Sequence, residues 1–342
     1  MLETATLELA EAGTGTRAVR ERAKDVLEVL VRHVPCDAAW MATVDPTGRG
    51  YSTAASANLS RSTVAYLSGP KMARDIELTQ ADRPRPPLSL SDVPYPAAEL
   101  PTWAECLLPA GVREALSVAL VDQHQRHVGF LTLLYASCRP PAVDARRALH
   151  HLVPVVAHAI DPLQHLSAAA QLLDGATAGA VLYQHGACGE LPGLDGDGLL
   201  TATSPVVAVA RTFLTTGRPS SSFLWPRGGR HAPDGHVRVT VLPDRQRSSA
   251  SVLGAVVLSA VESCKGLTPR ELEVLGLLVE GWSNTQIARR LVLTPRTVAT
   301  HLEHVLHKLQ APSRTLAAVR ADREGLYVPP ALTSGQDEGV RS

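Results

Sequence analysis

Four helix-start signals crowd into the stretch from Leu267 to Ala318. Thr268, Pro269 and Glu271 form a capping box. The hydroxyl can accept the third N–H of a helix, the ring is already fixed at a helical φ, and the carboxylate can reach back to the cap. Ser283 and Gln286 form a second box. Thr294-Pro295 opens a third helix in the same way, and Ser313 can cap a fourth. Gly281 falls where a left-handed residue closes the first of these helices. The local chemistry therefore dictates four short helices with tight turns.

The apolar spacing shows how they pack. Leu272, Leu275 and Val279 share a stripe widened by Leu278, and Ile287, Ala288 and Leu291 make the next. Val298, Leu302, Val305 and Leu309 recur at helical spacing in the third helix (Thr294 to Leu309), with Leu306 beside them. At about 100° per residue, Arg296, Thr300, Glu303 and His307 fall on the opposite face, flanked by Ala299 and His304. Only Val292 and Leu293 separate the second helix from the Thr294 cap. Two helices joined by so short a turn, the second with a polar outer face, make a helix-turn-helix. Such a unit places its second helix in a DNA major groove.

Thr268-Pro269-Arg270-Glu271, Glu273-Val274-Leu275, Gly281, Ser283-Asn284, Ile287-Ala288, Leu291, Thr297-Val298, His301, Lys308-Leu309 and Arg314 together resemble the C-terminal DNA-binding domain of LuxR-type transcription regulators. The resemblance implies a dimer that binds double-stranded DNA. It implies DNA contacts from Ser283, Asn284, Thr285, Arg289, Thr294, Arg296, Thr297, Val298, Ala299, Thr300, Glu303, His304, His307, Lys308 and Arg314. It implies a dimer contact through the fourth helix at Ser313, Arg314, Ala317 and Ala318. Three positions depart from the family. Thr285 and Ala299 stand where a Lys is common, and Glu303 stands where a base is frequent. Residues 265–324 hold nine Lys/Arg against six Asp/Glu, a net of only +3, so the phosphate-directed part of affinity is thin. Glu303 has two readings: it accepts a hydrogen bond from a cytosine amine, or it lies along the groove against His307 or solvent.

The whole chain carries no net charge, which excludes a general polyanion or membrane-surface binder and confines DNA binding to a local patch. Its 342 residues suggest two or three domains. The five cysteines are odd in number and scattered, without CxxC or zinc-finger spacing. With an acidic start that lacks a secretory pattern, they point to a reducing cytoplasm. No apolar run approaches the roughly 18 residues needed to span a bilayer.

Upstream, residues 1–16 are expected to be a flexible start, frayed or a loose helix. Arg17 to His33 has a helical pattern. Strands are expected at Cys36–Val44, Tyr51–Ala55, Val112–Val121 and Val128–Tyr135, with a turn at Asp45–Gly48. A short helix follows near Arg61–Leu67, and a Pro-rich loop or lid occupies residues 82–101. An amphipathic helix bent or interrupted at Pro154 closes the region at Asp144–Ile160. That order resembles a GAF-type α+β sensor over residues 17–161, carried by Asp37-Ala38-Ala39-Trp40, Gly111-Val112 and His127-Val128-Gly129-Phe130-Leu131. The resemblance implies an unidentified small-molecule effector. Residues 162–262 add a connecting helix at Asp161–Leu173, a strand at Ala178–Tyr183, a Gly-rich loop at Gly186–Gly198, a helix at Ser204–Thr216 and a three-strand meander. This resembles a small PAS-like sensor, with a polar hairpin loop at Asp244–Ser251. The helix-turn-helix domain occupies 263–326, and residues 327–342 read as a disordered tail.

No phosphate-binding loop, dinucleotide fingerprint, complete calcium loop or nucleophile elbow is present. His301, His304 and His307 share spacing a metal could use, but no metal or other cofactor is expected. His158 reads either as a ligand contact or as a satisfied boundary histidine. A phospho-acceptor receiver domain, common among LuxR-type regulators, would need an acidic pair after its first strand, a central Asp and a late Lys-Pro; Asp45 is a lone acid in a turn, and no Lys-Pro occurs. The expectation is a non-enzymatic, dimeric transcription regulator gated by ligand or redox input, with RNA polymerase as a further partner. The alternative is a ligand-gated protein-interaction regulator whose helix-turn-helix has lost DNA reading.

Overall fold

The computed structural model describes residues 2–13, 17–45, 50–217, 221–228, 233–245 and 251–330. The expected turn beyond Asp45, most of the Asp244–Ser251 loop and the tail from 331 lie outside the described residues. The chain forms two compact units, one from Met1 to Gln164, the other from His165 to Arg245 and from Ser251 on.

The first unit runs α1 (Leu2–Gly13), α2 (Val19–His33), β1 (Ala38–Val44), β2 (Tyr51–Ala57), α3 (Arg61–Leu67), α4 (Pro70–Leu78), β3 (Leu88–Ser89), β4 (Glu114–Val121), β5 (His127–Tyr135) and α5 (Val143–Ile160). Its antiparallel sheet has the order β2-β1-β5-β4-β3. Successive side chains point to opposite faces, and both faces are covered. Met41, Leu116, Leu131 and Leu133 pack with α1, α2 and α5. Trp40, Phe130 and Leu134 pack with α4 and the segment around Leu100–Leu107. This is why β5 is apolar almost throughout. The mixed α/β build is the GAF-like one expected.

Four expectations change here. Residues 2–13 are not a loose start: Ala5 and Leu9 are buried on one stripe of α1. A Cβ at Gly13 would meet Ala159 Cβ of α5 at 2.5 Å. The helix α4 is an addition to the expected elements, although Pro70 at its first turn and the buried Met72 and Ile76 define it. The Pro-rich region contributes the two-residue strand β3, paired with β4 at Leu88–Ser117 and Ser89–Leu116. The helix α5 runs continuously through Pro154.

The second unit continues through α6 (Gln164–Gln171), which begins at the divide, then β6 (Ala176–Tyr183), β7 (Cys188–Glu190), α7 (Pro205–Thr215), β8 (Ser221–Gly228), β9 (Pro233–Pro243) and β10 (Val252–Ala260). Its sheet has the order β7-β6-β10-β9-β8. The meander is where it was expected, and β7 arises inside the expected Gly-rich loop. Val206, Val209, Ala210 and Phe213 of α7 face the core. Four helices follow: α8 (Pro269–Val279), α9 (Asn284–Leu291), α10 (Pro295–Lys308) and α11 (Arg314–Glu324). They do not form a separate core. Phe223, Val239 and Val256 of the sheet belong to the same buried cluster as Leu272, Ile287, Val298 and Tyr327.

What joins them is the segment after α11. Leu326, Tyr327 and Val328 are buried, as is Pro329. Leu224 N–H on the edge strand β8 donates to the Tyr327 carbonyl at 2.8 Å, and Val328 N–H donates to the Leu272 carbonyl at 3.3 Å. Arg238 of β9 donates to the Glu324 carbonyl, and Lys265 pairs with the Glu324 carboxylate at 2.6 Å. The strap lies so close to α8 that a Cβ at Gly276 would sit 1.9 Å from the Val328 carbonyl oxygen. The disorder expected from residue 327 therefore does not hold for Tyr327 to Pro329. The prolines and small residues downstream obscure an apolar triplet, Leu326-Tyr327-Val328, suited to a sheet edge.

Candidate nucleic-acid interface

Each helix of the C-terminal region starts where its cap residue predicts. Glu271 N–H donates to Thr268 Oγ1 at 3.3 Å, and Thr268 N–H donates back to the Glu271 carboxylate at 2.7 Å. Ser283 and Gln286 repeat the box at 3.4 and 2.8 Å. Thr294 Oγ1 accepts from Thr297 N–H at 3.1 Å, and Ser313 Oγ accepts from Leu316 N–H at 3.2 Å. The C-cap Val292 then turns the chain from α9 into α10.

The helix α10 buries Val298, Leu302 and Val305. Arg296, Thr300, Glu303, His304 and His307 are exposed, while Thr297, Ala299 and Lys308 are half-buried. Ser283, Thr285, Arg289 and Thr294 are exposed and Asn284 is half-buried. Two expected contacts are corrected. Val298 is wholly buried, so its side chain is core and cannot meet DNA. Ala317 is also wholly buried, packed inside its own domain rather than offered to a second copy. Both are small apolar residues on the inner stripe of their helices. Ser313 and Arg314 are exposed and Ala318 is half-buried.

The cations are mostly occupied within the fold. Lys308 Nζ pairs with Glu271 Oε2 at 2.7 Å. Burial by itself would raise the Glu271 pKa, but the Lys308 and Thr268 hydrogen bonds outweigh it and hold the carboxyl below its usual range. Arg270 spans Glu273 at 2.6 Å and the Leu291 carbonyl at 2.5 Å, tying α8 to the end of α9. Arg320 donates to the Leu309 and Gln310 carbonyls at 2.6 and 2.9 Å, closing the negative end of α10. Arg314 donates to the Trp282 carbonyl at 2.7 Å and to Asn284 Oδ1 at 3.4 Å. Arg289 and Arg296 make no ion pair among the described residues and point outward. Arg289 also lines an open cleft with Trp282, Gln286 and Arg290. Of the two readings of Glu303, pairing with His307 is not observed among the described residues. His304 Nδ1 instead lies 3.7 Å from Glu271 Oε1.

A second feature, in the first unit, has no signature in the sequence. A cavity of about 60 Å³ lies under the sheet, lined among others by Asp75 and Ile76 of α4, Thr102, Trp103, Phe130 and Thr132. Thr102 N–H donates to Asp75 Oδ2 at 2.7 Å, whereas Thr102 Oγ1 is buried with no partner among the described residues. Among the described residues no Lys, Arg or His lines the cavity. Outside it, His158 sits beside the Gln164 amide at 2.6 Å, as a satisfied boundary histidine would. Burial, with Asp37 adding to it, pushes the Cys36 thiol up to about 11, and burial also raises Cys106. Both shifts run against the thiolate that redox sensing needs. Among the described residues no cluster of His, Cys, Asp and Glu could hold a metal ion, and no helix is long and apolar enough to cross a membrane.

Residues 265–321 match the family model described as bacterial regulatory proteins, luxR family. They are 52% identical over 59 residues to a helix-turn-helix-type transcriptional regulator of Mycobacterium tuberculosis, covering 17% of this chain and 7% of that protein. They are 47% identical over 62 residues to the transcriptional regulatory protein LiaR of Bacillus subtilis, covering 18% and 29%. They are 44% identical over 61 residues to the nitrate/nitrite response regulator protein NarL of Escherichia coli, covering 18% and 28%. The matched stretch thus spans under a third of each of these relatives. Among solved structures, the chain is similar to a GAF domain from a phosphoenolpyruvate-protein phosphotransferase of Coxiella burnetii. That match has 17% identity and TM-score 0.35, over 50% of this chain and 97% of that one. A second is Escherichia coli SdiA, at 16% identity and TM-score 0.28, over 90% and 92%. The helices α8 to α11 of this chain are a LuxR-family helix-turn-helix DNA-binding domain.

Proposed function

We propose that the protein is a cytoplasmic, non-enzymatic transcription regulator that binds a pseudo-palindromic DNA site as a dimer. The observation that carries the reading is the outer face of α10. Arg296, Thr300, Glu303, His304 and His307 are exposed along one face of a helix whose other side is locked in the core. On this reading α10 lies in the major groove, the helix N-termini at Ser283 and Thr294 offer N–H groups to phosphates, and Arg289 and Arg296 supply charge. Ser313, Arg314 and Ala318 on α11 mark the side on which a second copy meets the first, with half-sites about one helical turn apart. RNA polymerase is a further partner.

Input comes from a small effector rather than from phosphorylation or thiol oxidation. The cavity of the first unit suits it, because a buried hydroxyl without a partner favours any ligand that satisfies it. The lining carries Asp75 and no cation, so the effector is uncharged or cationic and donates a hydrogen bond. An anion such as a nucleotide phosphate would be buried without a counter-charge. The thin set of outward cations also supports a second reading, in which the helix-turn-helix pairs with another regulator.

The test is selection from a randomised duplex pool with the full-length chain. Enrichment of an inverted repeat is expected. If the wild type enriches nothing and Ala299→Lys with Glu303→Lys creates binding, the protein-pairing reading replaces this one.

A further inference from the structure

The turn between α9 and α10 contains a residue that the isolated protein gives no reason to choose. Val292 closes α9 in the left-handed conformation, at φ 54° and ψ 51°. Two bonds hold it there: the N–H groups of Val292 and Leu293 both reach the Ala288 carbonyl. A side chain branched at Cβ clashes most in this region, which is why glycine or asparagine ordinarily fills it. Two other helices of the domain obey that rule. Gly281 at φ 81° follows α8, and Gly325 at φ 61° follows α11. Among the described residues, the other non-glycine positions with positive φ are Asn58, Gln80, Gln125, Lys265 and Gln310, all unbranched at Cβ.

Packing does not explain the choice either, because Val292 is 90% exposed, the most exposed large apolar side chain of its domain among the described residues. A strained backbone and a solvated apolar side chain are two separate costs at one position. Strain of this kind persists where function needs it. The position says what the function is. Val292 precedes the Thr294 cap by two residues, at the end of α10 that a helix-turn-helix presents to base edges.

We propose that Val292 is a specificity-determining residue whose isopropyl group packs against a thymine methyl at the edge of each half-site. Of the groups exposed in the major groove, the thymine C5-methyl is the apolar one. This rests on the DNA-binding reading above and deepens it.

The test uses the full-length chain, the duplex enriched by selection, and Val292→Gly and Val292→Asn. Both substitutions suit the left-handed turn, so melting temperature stays level or rises. Affinity falls about fourfold for each methyl group withdrawn from the base. Each thymine of the site is then replaced by uracil in turn. One replacement per half-site should weaken the wild type and leave both variants unchanged, which a merely structural role for Val292 would not produce. Equal affinity of wild type and variants, with no uracil effect, would overturn the assignment and leave Val292 to a protein partner. If the wild type enriches no duplex at all, the DNA reading falls and this assignment falls with it.

Discussion

Counted along each segment, the strands of the two sheets lie in the same order, β2-β1-β5-β4-β3 in the first unit and β7-β6-β10-β9-β8 in the second. What covers them differs. In the first unit, three helices seal one face and a short-helix region crosses the other without filling it, leaving a cavity with a lone hydroxyl at Thr102. In the second, the edge strand β8 is closed by the strap after α11, and the sheet shares its core with the DNA-binding helices. One strand order thus supports a small buried void in one place and a rigid mount for the helix-turn-helix in the other. The difference lies in the segments that cover the sheets, since sites are grafted onto folds rather than implied by them.

The strap is where the two units differ most in what a single substitution should cost. Tyr327→Ala should cost the second unit about 3–5 kcal/mol, as expected for a fully buried aromatic. Hydrogen exchange should speed up in β8, α8 and α11 while β1 and β5 keep their protection. Equal loss in both units would show that the strap does not serve the second core specifically. Gly276→Ala tests the same contact more mildly, at about 1–3 kcal/mol of overpacking.

The Glu271 carboxyl sharpens the account of the mount. Its pKa is lowered in the folded protein, so its contribution is present above the unfolded value of about 4.3 and lost as pH falls through the lower native value. Denaturant melts of Glu271→Gln should show lower stability at neutral pH and a shallower loss toward acid than the wild type. Parallel pH profiles would remove the Lys308–Glu271 pair from the account.

The smallest effect concerns the void. Thr102→Val removes a buried hydroxyl that has no partner, so the first unit should keep its stability or gain about 1 kcal/mol. Binding of a small uncharged hydrogen-bond donor such as methanol, followed by calorimetry, should weaken in that variant. A clear loss of stability without methanol would mean that the hydroxyl is already satisfied in solution.

The sequence is most legible where local chemistry decides structure. The caps at Thr268, Ser283, Thr294 and Ser313 and the inner stripe of α10 need no tertiary information. It is least legible where a residue has two possible neighbours. Lys308 and Arg314 look like DNA contacts because charge pattern cannot show that Glu271 and the Trp282 carbonyl already hold them. Val298 and Ala317 match a family pattern, but matching does not separate a core position from a contact. Tyr327 is hidden by its proline-rich sequel, and Thr102 and Asp75 come together only through the fold. Val292 reads as a spacer, since nothing in a sequence marks a left-handed valine.

The most direct test of the central claim is the salt dependence of binding to the enriched duplex, against a scrambled duplex of the same length. With Arg289 of α9 and Arg296 of α10 as the cations that meet phosphate in each copy, a dimer neutralises about four phosphates, and log K should fall with log salt at a slope near −3.6. That slope, with a clear preference for the enriched site, is the predicted result. Equal affinity for both duplexes, or a slope near −10, would contradict it, because either would mean that charge rather than the face of α10 holds the DNA.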